Sequence, residues 1–372
     1  MRITFFNLRA HGLFDASDPT VFGGAEVQLY HLSTGLAARG HQVTFITRGP
    51  GPRESKHVKG VRVEKLPLRG GVLGRVTTLL ESFFGLLRSR ADVLVQRCAG
   101  FETAMVAAAA RLNGARFCFM TASLLDCRDQ AAQEGRPWMY NVYLWGLHRA
   151  AHVICQNEIQ QALLAENFGI YANVLPSACA PVRGEQSFAY GAADRKVLWV
   201  GRCDPYKDPL SFLRLARELP NIPFVMIMPP GDHPAYQKEV KEEAKGLSNL
   251  EVRQAVSFYE METVYRHASI LVNTSTLEGF PNTFLEAMRM GVPLLSYRLD
   301  PGGILVEKRT GICVGGDFRA LMDLCASWHE KPERARQYGK AGRDYVKRTH
   351  DREVVVERFE RILTSNLPKG SA

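Results

Sequence analysis

The stretch TSTLEGFPNTFLEAMRMGVPLLS, residues 274–296, sets two carboxylates, Glu278 and Glu286, on either side of Gly-Phe-Pro-Asn-Thr. Glycine costs a helix interior roughly 1 kcal/mol and proline about 3, so Gly279 and Pro281 put the two acids on different elements. Thr283 followed three residues later by Glu286 fits a capping box, which predicts a helix starting near Thr283 with Glu286 on its first turn. Upstream, ASILVNTS is an apolar, β-branched run of the length of a buried parallel strand, and VPLLS after Gly291 reads the same way. The unit is strand, loop, helix, strand. In open α/β sheets a loop that leaves the carboxyl end of a strand and feeds a helix N-terminus is the usual seat of phosphate and sugar-nucleotide ligands. Glu278 is expected in that crevice.

The same alternation extends outward in both directions. RITFF opens the chain as a strand, and FGGAEVQLYHLSTGLAARGHQVTFIT reads as a Gly-rich turn, an amphipathic helix ending at Gly40, and a second strand, with Leu29, Leu32, Leu36 and Ala37 on one face. Further strands are predicted at VRVEKL, DVLVQ, RFCFM and HVICQ, with helices between them. PSACAPVRGEQSFAYGAADR, residues 176–195, is rich in small residues and turn formers, and residues 179–195 read as a linker. The alternation then restarts with KVLWV, PFVMIM, ASILVN, VPLLS and GICV, and a helical tail follows from Asp317. The expected fold is α/β, two Rossmann-like domains facing across a cleft: residues 1–178 and residues 196–349, with the last helix, near 350–365, crossing back onto the first domain.

A chain of 372 residues exceeds the size at which single cores stop growing, and 46% hydrophobic with 23% charged residues is ordinary for a globular protein. The eight cysteines show no CxxC pair and no zinc spacing, which suits reduced thiols in a cytoplasmic protein. MRITFFNLR enters a strand directly, without the apolar region of a signal peptide, and no run reaches 18 apolar residues. The net charge of +9 is unevenly spread: residues 48–97 hold eleven Arg or Lys against four Asp or Glu. A basic surface suits an anionic partner.

Two further stretches carry chemistry. VGRCDPYKDP, residues 200–209, follows the first strand of the second half and supplies Arg202 and Lys207. Two cations on such a loop can neutralise a diphosphate leaving group as charge builds on its oxygen. A solvated loop with two surface charges has the same sequence, and only the neighbouring Glu-x7-Glu unit favours the functional reading. Gly23 and Gly24 precede the first helix and let a ligand approach helix N–H groups, although a tight turn into Ala25 and Glu26 would also use them.

Taken together, FGGAE…LAARGHQVTFIT, VGRCDPYKDP and LEGFPNTFLEAMRMGVPLLS resemble the retaining glycosyltransferases of the GT-B fold, the family 4-like, group 1 enzymes that include sucrose synthase and the mannosyl- and glucosaminyltransferases of bacterial glycan assembly. The resemblance covers nearly the whole chain. It implies transfer of a sugar from a nucleotide-sugar donor to a glycan or lipid-linked glycan acceptor in cell-surface polysaccharide or glycolipid biosynthesis. By the same resemblance Arg202 and Lys207 bind the diphosphate, while Glu278, Gly279 and the backbone N–H groups between Phe280 and Asn282, on either side of Pro281, hold the donor sugar. Thr283 stands at the phosphate-facing helix start, and Glu286 binds the ribose hydroxyls. The acceptor hydroxyl then attacks on the face from which the nucleotide leaves, so no protein nucleophile is sought. No metal is expected, because the chain lacks an Asp-x-Asp motif and two cations with helix dipoles can replace a divalent ion. No other cofactor and no nucleic-acid partner is expected.

The chain departs from the family where a donor-contacting His commonly follows the strand that here reads RFCFMTASLLDC. Thr121, Ala122, Ser123 and Asp126 stand there instead. Either Ser123 or Asp126 takes over part of that role, Asp126 then being catalytic, or Asp126 is a loop cap and the donor is held differently. His31 and His148 read as packing or surface residues. Residues 69–90, RGGVLGRVTTLLESFFGLLRSR, combine an apolar stripe with flanking arginines, and either rest on an anionic membrane surface or cover the sheet. Such docking would place the protein peripherally on the inner face of the cell membrane. The competing functions are a nucleotide-sugar epimerase of the same fold and a non-catalytic nucleotide-sugar-binding partner subunit.

Overall fold

The structure is a computed structural model that describes residues 1–18, 23–128, 137–182, 195–254, 256–258 and 260–365. The chain divides into two units, Met1–Ala178 together with the segment from Arg352, and Cys179–Asp351. Residues 183–194 of the expected linker lie outside the described residues.

The first unit is built on an eight-stranded sheet: β1 (Arg2–Phe6), β2 (Gln42–Gly49), β3 (Glu54–Val58), β4 (Val61–Pro67), β5 (Val93–Arg97), β6 (Arg116–Met120), β7 (His152–Cys155) and β8 (Asn173–Val174), in the order β3-β4-β2-β1-β5-β6-β7-β8. The central strands are buried on both faces, which is why they read as near-continuous apolar runs; Phe5 pairs in register with Phe45 on one side and Val95 on the other. Only β3 is antiparallel. Its sequence, ESKHV, has no apolar alternation and lies largely exposed at the edge, so periodicity could not reveal it. The short β8 was hidden for want of length.

Helices α1 (Gly24–Ala38), α2 (Gly71–Arg88), α3 (Phe101–Asn113), α4 (Pro137–Leu147) and α5 (Glu158–Phe168) connect these strands. In α2 the residues turned inward are Gly74, Thr78, Ser82, Gly85 and Leu86, whereas Val72, Leu73, Val76, Leu80 and Phe84 are exposed, Val72 by 80% and Leu73 by 78%. The helix does cover the sheet, with Leu86 and its small side chains inward and Leu79, Phe83 and Leu87 packed partly against the same core.

The second unit has a six-stranded, wholly parallel sheet: β9 (Lys196–Val200), β10 (Phe224–Ile227), β11 (Leu250–Arg253), β12 (Ala268–Asn273), β13 (Leu294–Ser296) and β14 (Gly311–Cys313), ordered β11-β10-β9-β12-β13-β14. Its helices are α6 (Pro209–Glu218), α7 (Pro234–Ala244), α8 (Met261–Arg266), α9 (Asn282–Arg289), α10 (Ile304–Glu307), α11 (Phe318–Glu330) and α12 (Glu333–Thr349). Within the unit the strand order is 3-2-1-4-5-6, the doubly wound arrangement that reverses direction between β9 and β12.

The last helix, α13 (Arg352–Thr364), belongs to the first unit and packs on α1. Phe359 meets the Phe5 ring at 6.4 Å, and Glu360 accepts hydrogen bonds from Arg39 at 2.7 Å and His41 at 2.6 Å. With the sheet on one side and α13 on the other, α1 is buried almost all round, Gln28 and His31 included, and the one-faced helix read from Leu29, Leu32 and Leu36 is corrected accordingly. Among the described residues no helix is long and apolar enough to cross a membrane.

Candidate functional site

Ligands of doubly wound sheets collect beyond the carboxyl ends of the strands at the point where the order reverses. In the second unit that point lies between β9 and β12, and the loops leaving it, residues 201–208 and 274–281, contain Arg202, Lys207 and Glu278. The two loops are laced together. Buried Thr274 accepts the Trp199 indole N–H at 2.9 Å and donates to the Lys207 carbonyl at 2.9 Å, while the Thr276 N–H donates to the Tyr206 carbonyl at 2.8 Å. This lacing brings the Lys207 ammonium against the Glu278 carboxylate in a largely buried ion pair.

Arg202 lies on the same loop. It donates to Tyr206 Oη at 3.2 Å and to Asp232 at 3.2 Å, and lies 3.0 Å from an Asp204 oxygen. Asp204 in turn accepts the Asp232 N–H at 2.8 Å, and the loop can close this far only because residue 231 is glycine: a Cβ there would stand 2.2 Å from the Cys203 carbonyl oxygen. Asp204, Tyr206 and Asp232 escape sequence reasoning, because single polar loop residues carry no periodic signal.

The helix after Glu278 begins differently from the capping-box expectation. Helix α9 starts at Asn282, with Pro281 (φ −66°, ψ 121°) as its N-cap and no side-chain cap, so Thr283 is its second residue and Glu286 opens its second turn. Proline fixes the entry geometry by itself, and Glu286 reaches forward to Arg289, which donates to it at 3.1 Å and to Glu262 at 3.2 Å. Burial pushes the Glu286 carboxyl above the usual glutamate range, and Arg289 opposes the shift. Arg289 is buried and was missed, although its i,i+3 spacing from Glu286 was the available signal. Phe280 and Pro281 are buried, and Asn282 and Thr283 half-buried, at the start of this helix.

In the first unit the order reverses between β1 and β5. Gly23 is the N-cap of α1, and its N–H donates to buried Glu26 at 2.8 Å; Asn7, following β1, donates to the other Glu26 oxygen at 3.0 Å. Gly24 is the first residue of the helix. Asp126 accepts the backbone N–H groups of Ala122 at 2.6 Å, Ser123 at 3.1 Å and Ala99 at 3.3 Å, and Ser123 accepts the Leu125 N–H at 3.2 Å. The two side chains form a reciprocal cap on the 3-10 turn at Leu124–Cys127. Burial holds the Asp126 carboxyl above its ordinary range against those hydrogen bonds and buried Arg97. Of the two readings of Asp126 the geometry supports the cap. His31 is buried and His148 exposed. All eight cysteines are unpaired, and among the described residues no three His, Cys, Asp or Glu side chains are grouped to hold a metal ion.

Residues 23–176 match the glycosyl transferase 4-like domain and residues 194–330 match the glycosyl transferases group 1 domain. The chain belongs to the group 1 glycosyltransferases. Among curated relatives, this glycosyltransferase is 26% identical over 323 residues to a subunit of the human phosphatidylinositol N-acetylglucosaminyltransferase, a match covering 80% of this chain and 63% of that protein. It is 25% identical over 171 residues to glycosyltransferase 1 domain-containing protein 1 of Xenopus tropicalis, covering 44% and 49%. The chain thus spans about half of one of these relatives and just under two thirds of the other. Among solved structures, the sucrose-phosphate synthase of Thermosynechococcus elongatus superposes with a TM-score of 0.73 at 18% identity over 97% of both chains. The trehalose-6-phosphate synthase OtsA gives 0.75 at 14% identity over 99% of this chain and 100% of that one. The glycosyltransferase therefore has the GT-B fold.

Proposed function

We propose that the protein is a retaining, metal-independent hexosyltransferase that moves a sugar from a nucleotide-diphosphate donor to a glycan or lipid-linked glycan acceptor in the biosynthesis of cell-surface polysaccharide or glycolipid. The observation that carries the donor half is the laced pair of switch-point loops, which pairs Lys207 with Glu278 shortly before the start of α9 and carries Arg202 on the same loop as Lys207. In this reading the diphosphate competes with Glu278 for the Lys207 ammonium, Arg202 takes the second phosphate, Thr283 stands at the phosphate-facing helix start, and the backbone N–H groups of Phe280 and Asn282, on either side of Pro281, hold the donor sugar. Glu278 is then free to accept hydrogen bonds from the donor sugar, and Glu286, oriented by Arg289, accepts those of the ribose hydroxyls. The bond from the anomeric carbon to the diphosphate oxygen breaks as the acceptor oxygen bonds to the same face, and the acceptor proton passes to the departing phosphate. Gly23 and Gly24 form the corresponding helix start on the first unit. Asp126 acts as a positioning residue that holds the loop after β6.

Two structural neighbours support the chemistry: one trehalose-6-phosphate synthase is described in terms of glycosyltransfer with retention, and the E. coli protein is bound with UDP-2-fluoro glucose. The human relative's name specifies phosphatidylinositol as acceptor, which supports a lipid-linked acceptor here. The exposed apolar stripe of α2, within a segment of four arginines and one glutamate, supports docking on an anionic membrane surface, and with it a peripheral location on the inner face of the cell membrane. The test is release of nucleoside diphosphate from a panel of nucleotide sugars, with and without EDTA. Slow acceptor-independent hydrolysis of one donor, undiminished by EDTA, is expected. Turnover that stops on chelation and returns with magnesium would overturn metal independence; interconversion of donor sugars would identify an epimerase, and binding without turnover a non-catalytic partner.

A further inference from the structure

The outward face of α2 does not end in a flat stripe. Val76, Leu79, Leu80 and Phe83 of α2, Phe101 and Met105 of α3 and Trp145 of α4 line an open groove of about 450 Å³ with no polar residue in its lining. Its floor is narrow because α4 sits directly on α3: a side chain at Gly146 would collide with the backbone of Thr103 and Ala104 at 2.7 Å. The groove is flanked by cations. The Arg149 guanidinium lies 4.1 Å over the Trp145 ring, Arg88 lies 5.9 Å over Phe84, and Arg75 is exposed one residue before Val76. The acids nearby are Glu81, paired with Arg69 at 2.8 Å, and Glu102 on the first turn of α3. One end of the groove is Phe101, four residues past Arg97 at the carboxyl end of β5, the sheet edge that also carries Gly23 and the Asp126 turn.

We infer that this groove holds one hydrocarbon chain of a membrane lipid with an anionic headgroup, the tail of the acceptor itself, with the head at the carboxyl edge of the first sheet. The inference rests on the lipid-linked acceptor reading above and adds to surface docking a site for a single chain. Apolar walls with a cationic rim fit a chain bearing a phosphate at one end: the methylenes leave water along Leu80, Phe83 and Met105 while the phosphate meets Arg75 near the start of α2, and Arg88 and Arg149, just ahead of the amino ends of β5 and β7, close the opposite end. A second copy of this chain would bring its own arginine-rich segment against the same rim, so like charges oppose that occupant.

The test uses the full-length protein and dodecyl phosphate brominated near the end of its chain, kept below its micelle-forming concentration. Bromine quenches indole emission on contact; Trp199 and Trp328 are buried in the second unit, so quenching reports on Trp138 and Trp145. Saturable quenching is expected, abolished in Trp145→Phe, not displaced by an equal concentration of inorganic phosphate and weaker for the brominated alcohol. Ala108→Phe, which fills the groove, is expected to weaken binding by about tenfold or more, equivalent to the loss of two buried methylenes, while still co-sedimenting with anionic vesicles. Leu73→Glu, outside the lining, is expected to lose vesicle binding and keep the single chain. No saturable quenching, equal affinity in Ala108→Phe, or a stable dimer that the lipid does not dissociate would overturn the inference. Chain binding without any vesicle binding would instead sink the surface-docking reading and leave the groove standing.

Discussion

In α9 the large apolar residues Phe284, Leu285 and Met288 turn into the core and Asn282, Thr283 and Glu286 stay at least partly open to solvent; in α2 Gly74, Thr78, Ser82, Gly85 and Leu86 turn in and Val72, Leu73, Val76, Leu80 and Phe84 turn out. Both sequences show an apolar stripe. The stripe in α9 is what the hydrophobic effect requires of a helix on a sheet, and the helix can therefore serve as a rigid platform for a site at its N-terminus. The stripe in α2 leaves several large side chains in water, which a monomer tolerates only when something covers them. The second unit thus builds its candidate site from charges and helix ends around a parallel sheet, and the first unit offers an apolar surface. In the proposed function the second unit takes a soluble donor and the first an amphipathic acceptor.

The sharpest break in that contrast comes from Lys207→Ala. Removing one cation from beside a developing diphosphate is expected to lower single-turnover sugar transfer about 10²–10³-fold. A loss smaller than about tenfold would reduce the Lys207–Glu278 pair to a structural bridge. Thr274→Val, which leaves the Trp199 indole N–H unpaired, is expected to cost about 1–3 kcal/mol in denaturant unfolding and to weaken donor binding by freeing the Lys207 loop. Unchanged stability and affinity would mean that the lacing is incidental. On the other unit, Leu73→Glu should alter stability by no more than about 0.5 kcal/mol, since the side chain is already exposed, while abolishing co-sedimentation with anionic vesicles. Destabilisation beyond about 1 kcal/mol would make the outer face of α2 part of a hidden core.

The strands and their parallel arrangement were legible because buried parallel strands leave long apolar runs; RITFF, KVLWV and ASILVN coincide with β1, β9 and β12. The edge strand β3 and the short β8 leave no such trace. Arg202, Lys207 and Glu278 at the switch point of the second sheet were legible from their positions after strands, but their partners were not: Asp204 and Tyr206 meet Arg202 within one loop, and Thr274 joins Trp199 to the Lys207 carbonyl across distant segments, contacts that leave no periodic trace. Local rules also compete. Thr283 and Glu286 satisfy a capping-box pattern, yet Pro281 sets the helix start and Arg289 claims the carboxylate. The outward stripe of α2 shows that periodicity finds a face without saying which way it points; that was decided by the small residues at positions 74, 78 and 82, which allow the helix close to the sheet.

In the proposed donor site Glu286 binds ligand through its carboxylate and does not cap the helix. Burial raises its pKa in the folded protein, so the stability linked to its protonation is fully present below the unfolded pKa and lost as pH rises through the folded value. At neutral pH the charge is then a burden on the fold, and Glu286→Gln, with Glu262 still pairing Arg289 at 3.2 Å, should melt at the same temperature as the wild type or slightly higher. Charge-assisted bonds from ribose hydroxyls contribute roughly 1.5–3 kcal/mol, so the same substitution should weaken donor binding about 10- to 100-fold. Calorimetric titration of the donor against both proteins across pH is the most direct measurement. The prediction is a wild-type affinity that falls on acidification at a pH above the ordinary glutamate range, and a Glu286→Gln affinity that is low and independent of pH. Equal donor affinity in the two proteins, with a lower melting temperature for Glu286→Gln, would contradict it.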